Sequence, residues 1–141
     1  MPFVARENVG VIAYSPMASG LLTGAMTPER IAGLPADDWR RRNSDFQEPQ
    51  LSRNLRLVRM LRAIGKQHGR SPGETAVAWV LQNSAITGAI VGARSPEQVD
   101  GWIAAGSLDL DATDVAEIAG AIWRTAAGAG PIAACAMKGA A

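Results

Sequence analysis

Two short stretches of the chain carry residue types that suit the binding of a negatively charged group. Ser15–Gly24 follows an apolar run and combines glycines with hydroxyl side chains, so backbone N–H groups can approach an anion closely. Gly92–Arg94 precedes the helix signal Ser95–Gln98, and a helix N-terminus favours negative charge. Arg94 adds a planar, permanent positive charge. Glycine turns and capped helices also occur for folding reasons alone, so this pattern leaves a purely structural role open.

The few side chains able to move a proton or act as a nucleophile limit the possible chemistry. The chain has one histidine, one tyrosine, one cysteine and two lysines, which are His68, Tyr14, Cys135, Lys66 and Lys138. A single cysteine excludes an intrachain disulfide and a cysteine cluster for zinc. A Ser/His/Asp triad would have to use His68, and a tyrosine acid would have to be Tyr14. We predict no metal site.

The elements that must position these residues alternate along the chain. Val9–Tyr14 and Ile86–Val91 are apolar, β-branched runs that predict strands covered on both faces in a parallel sheet. The predicted helices are Pro28–Leu34, Leu51–His68, Pro72–Gln82, Pro96–Ala105 and Ala112–Trp123. Such alternation predicts an α/β fold.

Local signals mark the helix ends. Ser71 with Glu74 and Ser95 with Gln98 are two predicted capping boxes, and Asp111, with Asp114 three residues on, is predicted to cap the last helix. Gly69 is predicted to be a left-handed residue that ends the long helix.

Two stretches of the chain carry several arginines each. The stretch Pro35–Gln50 contains Arg40–Arg42 and is predicted to be a long excursion, whose arginines either reach an anion or face solvent. Arg53, Arg56, Arg59 and Arg62 recur every third residue and are predicted to form a solvated helix face.

Composition bounds the broad class of protein. The 141 residues are 48% hydrophobic and 19% charged, with a net charge of +1, which excludes general disorder and gives no overall electrostatic case for binding nucleic acid. We predict one domain over residues 1–127 and a disordered tail, rich in alanine and glycine, over 128–141. With no signal peptide and no apolar run of about 20 residues, we expect a cytoplasmic protein that does not contact a membrane.

Two motifs then resemble a known family. Val11–Gly24 is similar to the seventh strand and following loop of aldo-keto reductases, and Ile90–Val99 is similar to their eighth strand and cofactor loop. Leu51–Gln82, between them, also fits. The resemblance implies an incomplete (β/α)8 TIM barrel, of which this chain supplies strands 7 and 8 with their helices. It also implies an oxidoreductase that transfers hydride between NADP(H), or NAD(H), and carbonyl compounds.

The resemblance also implies a cofactor-binding set. Tyr14 matches the aromatic residue that stacks on the nicotinamide ring. The loop along the pyrophosphate corresponds to Ser15, Pro16, Met17, Ser19, Gly20 and Leu21. The loop at the adenosine phosphate end corresponds to Gly92, Ala93, Arg94 and Gln98.

Two positions depart from the family pattern. Ala25 stands where many members have a lysine, and Gly101-Trp102 replaces a common Glu-Asn pair. Both changes weaken the expected binding of the adenine and the 2′-phosphate, so the preference between NADP and NAD stays open.

The family's catalytic aspartate, tyrosine, lysine and histidine precede the matched region, so we expect no carbonyl reduction by this chain alone. Two strands cannot close an eight-stranded barrel and would leave apolar edges. We weigh three hypotheses: an enzyme completed by an N-terminal half, a nucleotide-binding module that self-associates through its strand edges, and a truncated product without a stable fold. We prefer the third, because residues 1–8 resemble the last turns of a helix.

Overall fold

The computed structural model describes residues 2–128, in which helices alternate with two strands. The elements are α1 (Pro2–Arg6), β1 (Val11–Tyr14), α2 (Pro28–Ala32), α3 (Gln50–Gln67), α4 (Pro72–Leu81), β2 (Ile86–Ile90), α5 (Pro96–Asp100) and α6 (Ala112–Thr125). Short 3-10 helices lie at Ala18–Thr23, Trp39–Arg42, Ser44–Phe46 and Ile103–Ser107. The predicted α/β class is confirmed. Apart from Gly128, the predicted tail lies outside the described residues, as does Cys135.

The strands β1 and β2 pair in parallel, as predicted. Tyr14 lies opposite Ile90 in the register, and an irregularity between Val11 and Ile12 shifts the pairing by one residue. The Thr87 hydroxyl donates to the Val11 carbonyl oxygen at 3.1 Å beside this irregularity. The register brings the carboxyl ends of both strands to the same edge of the sheet.

The prediction that both faces of the strands are covered is wrong for the described residues. Ile86 is buried on the side that faces the helices. On the opposite face Ile12, Tyr14 and Ile90 are 64%, 81% and 53% exposed. No described element packs on that face. The apolar residues that predicted burial on both sides therefore form an exposed apolar surface, which we call the open sheet face.

The main core lies between α3, α4 and α6. Ile64 and Ile118 are fully buried there, and each such side chain stabilises the fold by about 1.5–3 kcal/mol. Gly65 lets α3 approach the start of α4, since a Cβ at this position would lie 2.6 Å from both the Arg70 carbonyl oxygen and the Thr75 hydroxyl. This close contact fixes α4, which in turn supports the sheet.

A second core cluster anchors the loops that follow β1. It consists of Leu21, Met26, Ile31, Phe46 and Leu51. Phe46 comes from the predicted excursion Pro35–Gln50 and meets the Trp39 ring edge-on at a centroid distance of 6.3 Å. The excursion is therefore an ordered segment with short 3-10 helices and a buried anchor.

One of the two predicted capping boxes is confirmed, and so is the predicted cap at Asp111. The Ser71 hydroxyl accepts from the Glu74 N–H at 3.0 Å, and the Glu74 carboxylate accepts from the Ser71 N–H at 2.7 Å. Asp111 and Asp114 form the same reciprocal pair at the start of α6. Gly69 is left-handed with φ +66°, as predicted.

The other predicted box, Ser95 with Gln98, and the length of its helix were predicted wrongly. The Ser95 side chain caps no backbone N–H, and α5 ends at Asp100 instead of Ala105. A hydrogen bond with the Ser95 side chain is the main cause that lowers the pKa of Glu97. Gly101 then ends the helix after five residues.

A polar contact links the end of α3 to the start of α6. His68 Nε2 lies 2.7 Å from Asp114 Oδ2, and the Asp114 side chain is only 7% exposed. The same oxygen accepts from the Asp111 N–H at 3.2 Å. The only histidine therefore joins two helices of the main core.

We predict that Asp114→Ala lowers the free energy of unfolding by about 2 kcal/mol, because His68 and the Asp111 N–H both lose a buried acceptor. Urea denaturation followed by circular dichroism measures the change. Glu117→Ala, an exposed carboxylate on the same helix, is the matched control and should change stability little. Equal losses in the two variants would contradict the structural role of Asp114.

Candidate functional site

The candidate site lies where the two strands end. Because Tyr14 pairs with Ile90, the segments Ser15–Gly24 and Val91–Ser95 leave the sheet side by side. In α/β folds this edge is where ligands bind. The structure thus brings the two predicted loops together.

The loop after β1 is held in an unusual backbone conformation. Ser15, Ala18 and Ser19 have φ angles of 53°, 47° and 56°, and Gly20 follows with 91°. Non-glycine residues in the left-handed region cost about 1–3 kcal/mol each, and such strain clusters at binding sites. Five left-handed residues between Ser15 and Gly24, three of them not glycine, therefore mark this loop as a candidate site.

Hydrogen bonds and packing maintain that conformation. The Met17 carbonyl oxygen accepts from the N–H groups of Gly20 and Leu22, both at 3.1 Å. The Thr23 hydroxyl donates to the Gly20 carbonyl oxygen at 2.7 Å. Leu21, only 1% exposed, anchors the loop in the second core cluster. The chain's own contacts therefore hold the loop in this conformation.

The predicted residues of this loop differ in what they can offer to a ligand. The Tyr14 ring and the Ser19 side chain are exposed, whereas Ser15, Pro16 and Gly20 are half-buried. The Leu21 side chain is in the core, so only its backbone remains available.

Met17 has a packing role. Its sulfur lies 3.3 Å from the position that a Cβ on Gly73 would occupy, so the Met17 side chain lies against the first turn of α4. Met17 is half-buried there. It therefore couples the shape of the loop to the helix layer.

The loop after β2 is more open. Gly92, Ala93, Arg94 and Gln98 are all exposed. The Gln98 side-chain oxygen accepts from the Arg94 N–H at 2.9 Å, which closes the turn. Because α5 has only five residues, its dipole is too short to attract an anion as the sequence suggested. The positive charge at this end comes from the Arg94 side chain.

An ion pair in the excursion lies within electrostatic range of Arg94. Arg40 Nε donates to Asp38 Oδ1 at 2.9 Å. Hydrogen bonds from the Arg40 side chain, then its backbone N–H, with smaller Coulomb contributions from Arg40 and Arg94, lower the pKa of Asp38 to about 2. Arg41 donates to the Leu34 carbonyl oxygen at 3.3 Å. The sequence left two alternatives for Arg40–Arg42, which were contact with an anion and exposure to solvent. Neither fits Arg40, because its guanidinium is paired with Asp38.

Sequence analysis missed the Asp38–Arg40 pair. A weak signal was present, since an aspartate two residues before an arginine can both cap the turn and pair with the side chain. The Asp38 carboxylate does both, and it also accepts from the Arg40 N–H at 3.0 Å.

We predict that the Asp38–Arg40 pair makes stability depend on pH in the acid range. The folded pKa of Asp38, about 2, lies below its ordinary value of 3.8, so its contribution is full above pH 4 and is lost as the pH falls toward 2. Thermal melts of the wild type and Asp38→Asn between pH 5 and pH 2 measure it. The variant should have a smaller loss of Tm over this interval, whereas Asp37→Asn, at the exposed neighbouring position, should behave as the wild type does. Identical acid profiles for Asp38→Asn and the wild type would refute the effect.

Two cavities formed by the described residues lie elsewhere. One of about 340 Å³ lies at the amino ends of the strands, between Val4 and Thr87, and one of about 260 Å³ lies beside Gln82 and Asp109. The candidate site is instead an open surface, because the open sheet face has no wall opposite it. Within residues 2–128 there is also no cluster of side chains suited to a metal ion.

The His68 imidazole and the Lys66 amine lie in the helix layer and not at the strand ends of the candidate site. Tyr14 stands alone at the strand edge, His68 contacts Asp114 in the helix layer, and Lys66 is exposed on α3. The arrangement can bind an anionic, flat-ringed molecule, but it places no acid beside a nucleophile or base.

Comparison with known proteins identifies the protein family. A family model described as the aldo/keto reductase family matches residues 1–122. The chain belongs to this family. The sequence resemblance is thereby confirmed.

Curated relatives and a solved structure agree with this assignment. The chain is 31% identical over 119 residues to L-glyceraldehyde 3-phosphate reductase of Escherichia coli O157:H7, covering 80% of this chain and 33% of that protein. It is 38% identical over 112 residues to an uncharacterized oxidoreductase of Mycobacterium tuberculosis, covering 79% and 33%. The glycerol dehydrogenase of Gluconobacter oxydans superposes with a TM-score of 0.79 and 28% identity, over 96% of this chain and 40% of that one. The chain thus spans about a third of the length of the curated relatives it matches.

Among residues 2–128, none of the helices is both long enough and apolar enough to cross a bilayer.

Proposed function

We propose that β1 and β2 are the seventh and eighth strands of an aldo-keto reductase barrel and that their loops hold a nicotinamide dinucleotide, NADP(H) or NAD(H). The observation that carries this proposal is the pairing of Tyr14 with Ile90, which places both loops at one edge. Membership of the family and the left-handed backbone of the first loop support it.

Tyr14 fits the nicotinamide end of the dinucleotide. Its ring is 81% exposed at the last residue of β1, so a second flat ring can stack on it without displacing core residues. Ser15, Ser19 and Gly20 would offer hydroxyl and backbone donors to the pyrophosphate. Pro16 and Met17 would shape that loop. When bound, the dinucleotide supplies the hydride.

Gly92, Ala93 and Arg94 would hold the adenosine phosphate end, with Gln98 fixing the turn through its bond to the Arg94 N–H. Asp38 is close enough for its charge and that of Arg94 to interact, and the Asp38 carboxylate stays ionised down to about pH 2. The Asp38 charge is already paired with Arg40, so the Arg94 guanidinium keeps its charge for a phosphate, and the preference between NADP(H) and NAD(H) stays open.

We propose further that carbonyl reduction needs residues beyond those of this chain. A proton donor must act beside the hydride donor, and the described residues place no such group next to Tyr14. The relatives contain about two further thirds of sequence. This portion would be completed by an N-terminal half that supplies the acid and the facing strands.

The open sheet face favours a second candidate function. In this function the chain binds a nucleotide without catalysis and associates with further copies of itself. Ile12 and Ile90 are more than half exposed on a sheet whose strands have free edges within residues 2–128. Exposed apolar strands tend to pair with another chain. Self-association and completion would use the same surface.

We predict that Tyr14→Ala weakens NADPH binding about threefold to tenfold, because a stacked aromatic pair contributes roughly 0.5–1.5 kcal/mol. Titration followed by the fluorescence of the reduced nicotinamide measures it. Tyr14→Phe keeps the ring and should retain affinity. Trp123→Ala removes an equally exposed ring on α6, 74% exposed, and should change nothing. The absence of any fluorescence change at millimolar NADPH or NADH would overturn the proposed function.

We predict that the chain sediments faster as its concentration rises and that Ile12→Thr or Ile90→Thr reduces this effect. The reason is the smaller apolar area left for burial between copies. Analytical ultracentrifugation provides the measurement. Ile103→Thr alters a side chain that is 61% exposed away from the sheet and serves as the control. If Ile103→Thr acted as strongly as Ile12→Thr, association would not use the open sheet face.

A further inference from the structure

The first turn of α4 contacts the segments that follow both strands. On the side of β1, Pro72 Cγ lies 3.0 Å from the position that a Cβ on Gly24 would occupy. On the side of β2, the Ser71 hydroxyl donates at 3.1 Å to the carbonyl oxygen of Gly101, which ends α5. Neighbouring residues of one turn therefore hold two segments that are far apart in the sequence.

The contact between this turn and the loop after β1 is a packing contact. A Cβ on Gly73 would lie 3.3 Å from the Met17 sulfur and 3.6 Å from Thr23 Cα, so the loop lies directly on the helix at this residue. Gly73 itself is buried. The start of α4 thus fixes the position of this loop without using a hydrogen bond from Gly73.

The Ser71 hydroxyl makes two hydrogen bonds with different roles. It accepts from the Glu74 N–H at 3.0 Å, which caps α4, and it donates to the Gly101 carbonyl oxygen. A hydroxyl has one proton to donate and two lone pairs, so both bonds form at once. The last carbonyl groups of a helix have no partner within that helix, so the second bond satisfies an acceptor at the end of α5. Ser71 therefore joins the start of one helix to the end of another.

The helix α5 connects this bond to the loop after β2. It has five residues and a helix rises about 1.5 Å per residue, so its two ends lie close together. The Gly101 N–H donates to the Glu97 carbonyl oxygen at 3.3 Å, and the Gln98 side-chain oxygen accepts from the Arg94 N–H at 2.9 Å. Because one short helical segment lies between Ser71 and Arg94, a shift at Gly101 would move the turn that carries Arg94.

We propose that Ser71 is a positioning residue that sets the distance between the two loops of the candidate site. The pairing of the strands fixes where both loops begin. The Ser71 hydroxyl fixes where the second loop and its helix end, and Pro72 and Gly73 beside it hold the first loop. The part of this proposal that concerns a ligand rests on the proposed function, since one dinucleotide that spans both loops needs them at a defined separation.

The separation of the loops is measured first, without a ligand. Ala25→Cys and Asp100→Cys, at two exposed positions, carry spin labels in a Cys135→Ser background, and double electron–electron resonance gives the distance between them. With Ser71 present we expect one narrow distance distribution. Ser71→Gly should broaden it, because glycine begins a helix nearly as well as serine but has no hydroxyl to donate. Ser71→Thr keeps the hydroxyl and should restore the narrow distribution.

NADPH binding to the unlabelled variants then tests the role of Ser71 in the candidate site. Ser71→Gly should weaken binding about twofold to tenfold, which is the usual effect of one lost hydrogen bond, and Ser71→Thr should retain the wild-type affinity. Titration followed by the fluorescence of the reduced nicotinamide measures both. Asp111→Gly removes the cap of α6 in the helix layer and is the matched control for a loss of stability, so it should leave the affinity unchanged.

The two measurements separate the positioning role from the proposed function. A broadened distance and weaker NADPH binding in Ser71→Gly, both reversed in Ser71→Thr, support the positioning role. A distance that Ser71→Gly leaves unchanged overturns it, as does equal weakening of binding by Asp111→Gly. A broadened distance with unchanged NADPH affinity overturns the role of Ser71 in the candidate site. If the wild type binds neither NADPH nor NADH but the distance depends on Ser71, the positioning role stands and the proposed function is overturned.

Discussion

The parallel pairing of β1 with β2 is the constraint on which the candidate site depends, because only this register brings the residues after Tyr14 next to those after Ile90. Two strands of four and five residues are too short to hold this arrangement by their own hydrogen bonds. The helices α3, α4 and α6 stabilise it from one side through a core centred on Ile64 and Ile118. The geometry of the loops is thus secured by packing on the side of the sheet away from any ligand.

The same packing also maintains the strained backbone of the loop Ser15–Gly24. Its left-handed residues would relax in an isolated peptide, and they persist because Leu21 is buried and the Met17 carbonyl oxygen accepts two N–H groups. The Met17 side chain also lies against Gly73 at the start of α4. The free energy that holds the loop in shape therefore comes from the two core clusters, and a ligand would meet donors that are already oriented.

Features that depend only on residues close to each other in the sequence were predictable. Ser71 with Glu74 and Asp111 with Asp114 satisfy free N–H groups within one turn, so these caps formed as expected. The pattern Ser95 with Gln98 looked the same, but the Gln98 side-chain oxygen accepts from the Arg94 N–H instead of the Ser95 N–H, a choice between local partners that spacing alone cannot decide. Contacts between distant segments, such as His68 with Asp114 and Arg62 with Gly24, left no signal in the sequence because each depends on how helices pack. The assignment of Tyr14 and the other residues to a dinucleotide came from family resemblance and stays a prediction.

The open sheet face has a thermodynamic consequence of its own. Covering Ile12, Tyr14 and Ile90 would remove apolar surface from water, and such burial carries a negative change in heat capacity. Near room temperature its driving force is mainly the entropy of released water, so it weakens on cooling. A chain that completes this sheet would therefore bind with lower affinity at low temperature. Cooling would weaken the assembly before it affected the helices beneath the sheet.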